Sequence, residues 1–177
     1  MRRELFIHFS FWFSFFVFIS LVRHFLTLSY WPFWLGGVVG VFMPDLDHLI
    51  YILFMSPQEL TSQRVGFLWT RKEYKRLIEL LYETRSERRG LIFHTIFFQA
   101  VFLILTFWLI TSSASLFGKG LVLSFALHLS VDQLVDLVEI KSLDNWVRFF
   151  PISLDLTKSK IYWSAGMLLV LIMGFIM

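Results

Sequence analysis

The chain has 177 residues, 57% of them hydrophobic, with 22 Phe, 7 Trp and a net charge of +3. Soluble domains average about 45–50% apolar residues, so this composition points to a chain that lives mostly in lipid, and so small a charge gives no basis for nucleic-acid binding. There is no cysteine, which excludes disulfides and thiolate metal sites and leaves histidine and carboxylate as the only metal donors.

Five apolar runs approach the roughly 20 residues that cross a bilayer: 5–22, 32–55, 91–114, 117–138 and 161–177. The first follows Arg2 and Arg3, is longer than a signal-peptide core and is followed by no small-residue cleavage site, so it reads as an anchor. Charges interrupt the second and fourth runs, and the fifth is short. Between the second and third lies the polar segment 56–90. There Leu68, Leu77, Leu80 and Leu81 recur among charges at helical spacing. That pattern fits either an amphipathic helix on the membrane surface or a helical hairpin packed on the bundle.

The expected fold is all-α: a single membrane-embedded bundle over 1–177, with four to five transmembrane helices and 56–90 as a cytoplasmic amphipathic helical segment. Lys and Arg set its orientation. With the N-terminus inside, fourteen fall in inner segments, while only Arg23 and Lys119 fall outside. The expected location is therefore the cell's inner membrane, N-terminus cytoplasmic.

Within the second run, "MPDLDH" at 43–48 places Asp45, Asp47 and His48 in apolar surroundings. An Asp at a membrane helix centre costs about 2.5–3.5 kcal/mol, so this pair would cost about 5–7 kcal/mol if it faced lipid. Asp132 adds a similar cost. Such residues normally face a bundle interior, a partner or a wet cavity. Pro44 removes a backbone hydrogen bond and predicts a break there, which could aim both carboxylates into one cavity. Gly36 and Gly40 form a small-xxx-small pair suited to close helix contact.

His8, His94 and His128 fall at the inner ends of their runs, at the depth of the Asp cluster, and His128 and Asp132 are four apart on one helical face. His24, beside Arg23, reads as interfacial, and Asp136 as solvated. Imidazole and carboxylate together suit a divalent ion: zinc first, with manganese or iron as alternatives. The candidate metal ligands are His8, Asp45, Asp47, His48, His94, His128 and Asp132. Seven exceeds one four-coordinate zinc, so either two ions bind or some residues orient others. Asp47 and Asp132 are the candidate catalytic carboxylates.

"MPDLDH", the "RRG" before His94, "HLSVD" at 128–132 and an early histidine, His8, together resemble the YdjM-like family across about residues 5–140. Its members are described as LexA-binding, inner-membrane-associated metal-dependent hydrolases. The chain departs from the family pattern in having three residues, not two, between Gly90 and His94, and Thr95 in place of serine.

The leading expectation is thus a membrane-embedded metal-dependent hydrolase with its site at the cytoplasmic leaflet. A phosphoester, a lipid headgroup or another lipid-derived or small-molecule substrate would be its target. Membrane lipid is the expected partner, since the site meets lipid first and the basic segment 56–90 would attract anionic headgroups. The alternatives are a proton or divalent-ion transporter, a b-type haem protein with paired histidine ligands, and a non-catalytic scaffold with internally paired ions. No lysine or arginine stands near the three carboxylates within the apolar runs, and that argues against the scaffold.

Overall fold

The computed structural model describes residues 2–88, 90–151 and 153–177. Arg89, part of the family-like motif, lies outside the described residues. The fold is all-α. Among the described residues nine α-helices form in chain order: α1 Arg2–Val22, α2 Trp31–Phe42, α3 Leu46–Ile50, α4 Leu60–Thr70, α5 Tyr74–Glu83, α6 Ile96–Ser112, α7 Leu116–Glu139, α8 Asp144–Val147 and α9 Leu156–Ile176.

Four stretches among the described residues are long and apolar enough to cross a membrane: Leu5–Val22, Leu28–Met55, Leu116–Glu139 and Leu156–Ile176. Two expectations change here. The run at 161–177, read as short, belongs to a full 21-residue helix beginning at Leu156, whose N-terminus is capped by Asp155 accepting from the Lys158 amide. The run at 91–114 supplies the short helix instead. Its apolar start does not wind, and α6 has only 17 residues, about 25 Å at 1.5 Å per residue.

α7 is the hub of the bundle. It packs against α1, α2, α6 and α9 and is buried along most of its length. Its closest neighbour is α2, and glycine makes that approach possible. A Cβ on Gly36 would strike the Phe117 carbonyl, one on Gly40 the Leu121 carbonyl, and one on Gly120 the Phe33 carbonyl. Backbone therefore meets backbone along the seam, as small-xxx-small spacing predicts. Ser124 closes it by donating to the Gly37 carbonyl at 2.6 Å. Phe16, Phe33 and Leu123 fill the core beside the seam. Large apolar side chains such as Phe6, Ile104 and Trp108 cover the outside, a surface suited to lipid.

The helix break at Pro44 forms as expected. Leu46, Asp47 and His48 each donate to the carbonyl three residues back, at 3.1 Å, which is tight 3₁₀ winding. Just beyond α3, Tyr51–Met55 widens into a π-turn. Segment 56–90 takes the packed form of its two readings. α4 and α5 make a hairpin whose Val65, Leu68, Leu77, Leu80 and Leu81 close over Tyr51, Ile52 and Leu91. The chain then turns at Arg85–Glu87, and residues 90–95 pass α3 without forming a helix.

Candidate metal centre

The polar residues converge at one end of the bundle. The C-terminal half of α7 brings His128 and Asp132, and the first turns of α1 bring His8. The Pro44 break brings Asp45, Asp47 and His48. Asp132, 1% exposed, is the centre. Its Oδ1 lies 3.1 Å from His8 Nε2 and pairs with the Arg85 guanidinium. Its Oδ2 lies 2.9 Å from His94 Nε2 and 3.2 Å from His128 Nε2.

His8, His128 and Asp132 form the single group of metal-capable side chains among the described residues. All three are buried, and their ligand atoms lie within 4.8 Å of one another. His128 is 4% exposed, and neither of its ring nitrogens makes a hydrogen bond. Its Nε2 reaches ion-pair distance of Asp132, but not hydrogen-bonding geometry. A buried imidazole left this way beside a carboxylate and a second imidazole fits a divalent cation. The His8 and His128 rings stand 4.3 Å apart, which leaves no room between them for a porphyrin.

The other four candidate ligands are placed differently. Asp47 is fully buried and turned away from the triad. Its Oδ1 accepts from the Ile92 amide at 3.0 Å, and its Oδ2 accepts from the Phe93 amide at 2.5 Å and stands 3.2 Å from His94 Nδ1. It therefore positions a loop and a histidine, and the expectation that it is catalytic is corrected. His94 spans the two carboxylates and donates to each when it carries both ring protons. Asp45 lies on the cavity wall, its side chain 45% exposed and 3.7 Å from His128 Nε2. The break does not aim both carboxylates into one cavity. Residues two apart diverge in either winding, by about 200° in an α-helix and about 240° in the 3₁₀ turn formed here, so Asp45 faces the cavity and Asp47 the core.

His48 accepts a hydrogen bond at Nδ1 from Arg88 Nε at 3.0 Å. An arginine N–H can only donate, so that nitrogen carries no proton, and neutral His48 holds its hydrogen on Nε2. His48 is accordingly fixed as an N–H donor and does not join the triad. With three ligands brought together, the described residues offer one group that could hold an ion.

Arg85 and Arg88 were not anticipated, and the argument that no cation stands near the carboxylates is corrected. They come from 56–90, not from an apolar run. The turn after α5 folds back over α3, and Arg88 locks that turn by donating to Thr84 Oγ1 at 2.9 Å and to the Leu81 carbonyl. Burial, then the neighbouring Arg85 charge, bring the Arg88 guanidinium down to about 10, so it stays charged at neutral pH. Sequence offers only a faint signal for the pair: two arginines three apart, shortly before an intramembrane histidine.

Trp146 on α8 was also missed. It packs on His94 at 5.5 Å between ring centroids and donates to Asp136 Oδ2 at 2.7 Å, so Asp136 is held by the protein rather than by solvent. Beside Asp132, Gln133 and Gln99 exchange amide hydrogen bonds at 2.7 and 3.4 Å, and the Tyr162 hydroxyl donates to Gln99 at 2.6 Å. His24 is exposed at the far end of α1, as an interfacial residue should be.

Two cavities flank these groups. The larger, about 240 Å³, is lined by His8, Asp45 and His128 and by the apolar Phe9, Phe42 and Leu49. The smaller, about 180 Å³, is bordered by His94, Glu83, Asp136 and Glu139. His48, Tyr82, Arg85 and Arg88 line both. Compared with known protein families, curated proteins and solved structures, the chain matches none of them.

Proposed function

We propose that the protein is a membrane-embedded metal-dependent hydrolase, the activity implied by its resemblance to the YdjM-like family, with its site at the cytoplasmic leaflet. One observation carries the reading: His128 is buried without a hydrogen bond and stands with His8 and Asp132 within 4.8 Å. Leaving a buried polar group unsatisfied costs about 1–3 kcal/mol, and a divalent cation removes that cost. Two imidazoles and one carboxylate suit zinc with a coordination position to spare, and manganese and iron accept the same donors. The excess of Lys and Arg in the segments at the site's end of the bundle supports the cytoplasmic orientation.

His8, His128 and Asp132 would hold the ion, which when bound supplies Lewis acidity at a scissile ester or phosphoester. The remaining chemistry belongs to the chain's own residues. Asp45, on the wall of the larger cavity, is the carboxylate placed to take a proton from an attacking water. His94, itself held by Asp47, fixes the orientation of the Asp132 carboxylate. Arg85, lining both cavities, stabilises negative charge as it develops on substrate oxygens.

The Arg85–Asp132 pair also suits a purely structural scaffold, because it neutralises the most central carboxylate without an ion. That reading leaves both ring nitrogens of His128 without a hydrogen bond and gives the cavities no use. Elemental analysis of the purified full chain decides between the two. The hydrolase reading expects about one equivalent of a divalent metal, lost in His8→Leu and His128→Leu and retained in His48→Phe. Equal metal in wild type and His128→Leu would refute it.

A further inference from the structure

His48 is 8% exposed, and Arg88 fixes its hydrogen on Nε2, yet that nitrogen has no hydrogen-bond partner among the described residues. An N–H donor held buried without an acceptor calls for an oxygen from outside the chain. His48 lines both cavities, and so do Arg85 and Arg88. A fixed neutral donor between two cations is suited to an anionic oxygen, and arginine favours phosphate in particular.

The walls on either side separate the two ends of such a ligand. Phe42, Leu46 and Leu49 line the larger cavity and are also among the large apolar side chains exposed on the protein's exterior, at 42–47%. That cavity therefore adjoins the lipid-facing surface. The smaller carries three carboxylates, Glu83, Asp136 and Glu139, and the larger only Asp45, so an anion is repelled more strongly from the smaller. Size points the same way. Pockets that enclose a free small molecule usually run to about 300–1,000 Å³. The larger cavity, about 240 Å³, suits a headgroup whose chains remain in the bilayer.

We propose that His48 and Arg85 bind the phosphate of a phospholipid, the larger cavity taking the first carbons of the lipid and the bilayer the rest. The phosphate would then lie on the cavity that His8, Asp45 and His128 also line. As a substrate site this rests on the hydrolase reading above; as a binding site it does not, and the test separates the two.

Delipidated full chain in detergent is titrated with phosphatidic acid, with diacylglycerol and with inorganic phosphate, retained lipid is measured by mass spectrometry, and metal content is followed in the same samples. Phosphatidic acid should be retained and diacylglycerol not, and millimolar inorganic phosphate should not displace the lipid. His48→Phe should weaken retention about tenfold or more while keeping its metal and its helicity. If His48→Phe does not fold, Arg85→Gln carries the same expectation for lipid. Unchanged phosphatidic acid retention in the folded variant overturns the proposal, and so does displacement by inorganic phosphate, which would make this a site for the free ion. Lipid retained by a wild-type protein that binds no metal supports the phospholipid site and rejects the hydrolase reading.

Discussion

Replacing Gly120 by alanine asks whether the α2–α7 seam holds the site together. The new Cβ would fall on the Phe33 carbonyl, 3.0 Å from its carbon and 3.1 Å from the Gly37 nitrogen. These are backbone atoms of a packed helix, so the helices must part. Alanine alone would favour the helix by about 0.8–1.0 kcal/mol over glycine. Overpacking typically costs about 1–3 kcal/mol, and the upper part of that range applies where no side chain can rotate aside. Gly66 on α4 is the matched control, because a Cβ there meets nothing within 4 Å. Gly66→Ala should gain the propensity term in full. In the difference between the two variants that term cancels and leaves the packing cost, so Gly120→Ala should be less stable than Gly66→Ala by about 2–3 kcal/mol. Unfolding in mixed dodecylmaltoside–SDS micelles, followed by helicity, measures both. Because α2 leads into the Pro44 break and α7 carries His128 and Asp132, Gly120→Ala should also weaken metal binding. Equal stability of the two variants would refute the claim that backbone contact at this seam positions the site.

Asp47→Asn replaces one acceptor oxygen by an NH₂ group facing the loop 92–94, leaving a buried amide without its partner at a cost of about 1–3 kcal/mol. Hydrogen exchange at Ile92 and Phe93 should accelerate by the corresponding factor while exchange in α9 stays unchanged. Gln99→Leu should destabilise the bundle by a similar amount, because Gln133 and Tyr162 lose their partners. Gln99→Leu/Gln133→Leu should recover part of the loss in the same unfolding assay, and a double variant worse than the sum of the singles would contradict the reciprocal pairing.

Hydropathy made the spans legible, because an apolar segment in lipid has few options besides a helix. Pro44 announced its break and Gly36/Gly40 their close contact through backbone chemistry that depends little on tertiary context. The hairpin's Leu68, Leu77, Leu80 and Leu81 were readable from periodicity for the same reason. What could not be read depended on winding and return paths. Residues 91–93 are apolar yet not helical, since the Ile92 and Phe93 amides are taken by a carboxylate 45 residues away in sequence or more. Asp45 and Asp47 stay apart because the break at Pro44 winds on as a 3₁₀ turn, in which residues two apart still diverge by about 240°. Arg85 and Arg88 looked like part of a solvated basic segment, and only the fold-back after α5 brings them to Asp132 and His48.

The brevity of α6 bears on the bilayer itself. At about 25 Å, it stands beside α7, whose 24 residues span about 36 Å, and the hydrocarbon slab is about 30 Å thick. The turn that α6 lacks lies at the site's end of the bundle, where loop 90–95 replaces it and Asp47 satisfies backbone amides that lipid could not. In a bilayer, hydrophobic mismatch at that end would draw the local leaflet inward, so that headgroups and interfacial water would sit closer to Asp132 than its helical position alone would allow. Membrane thickness would then be a determinant of how deep the site lies.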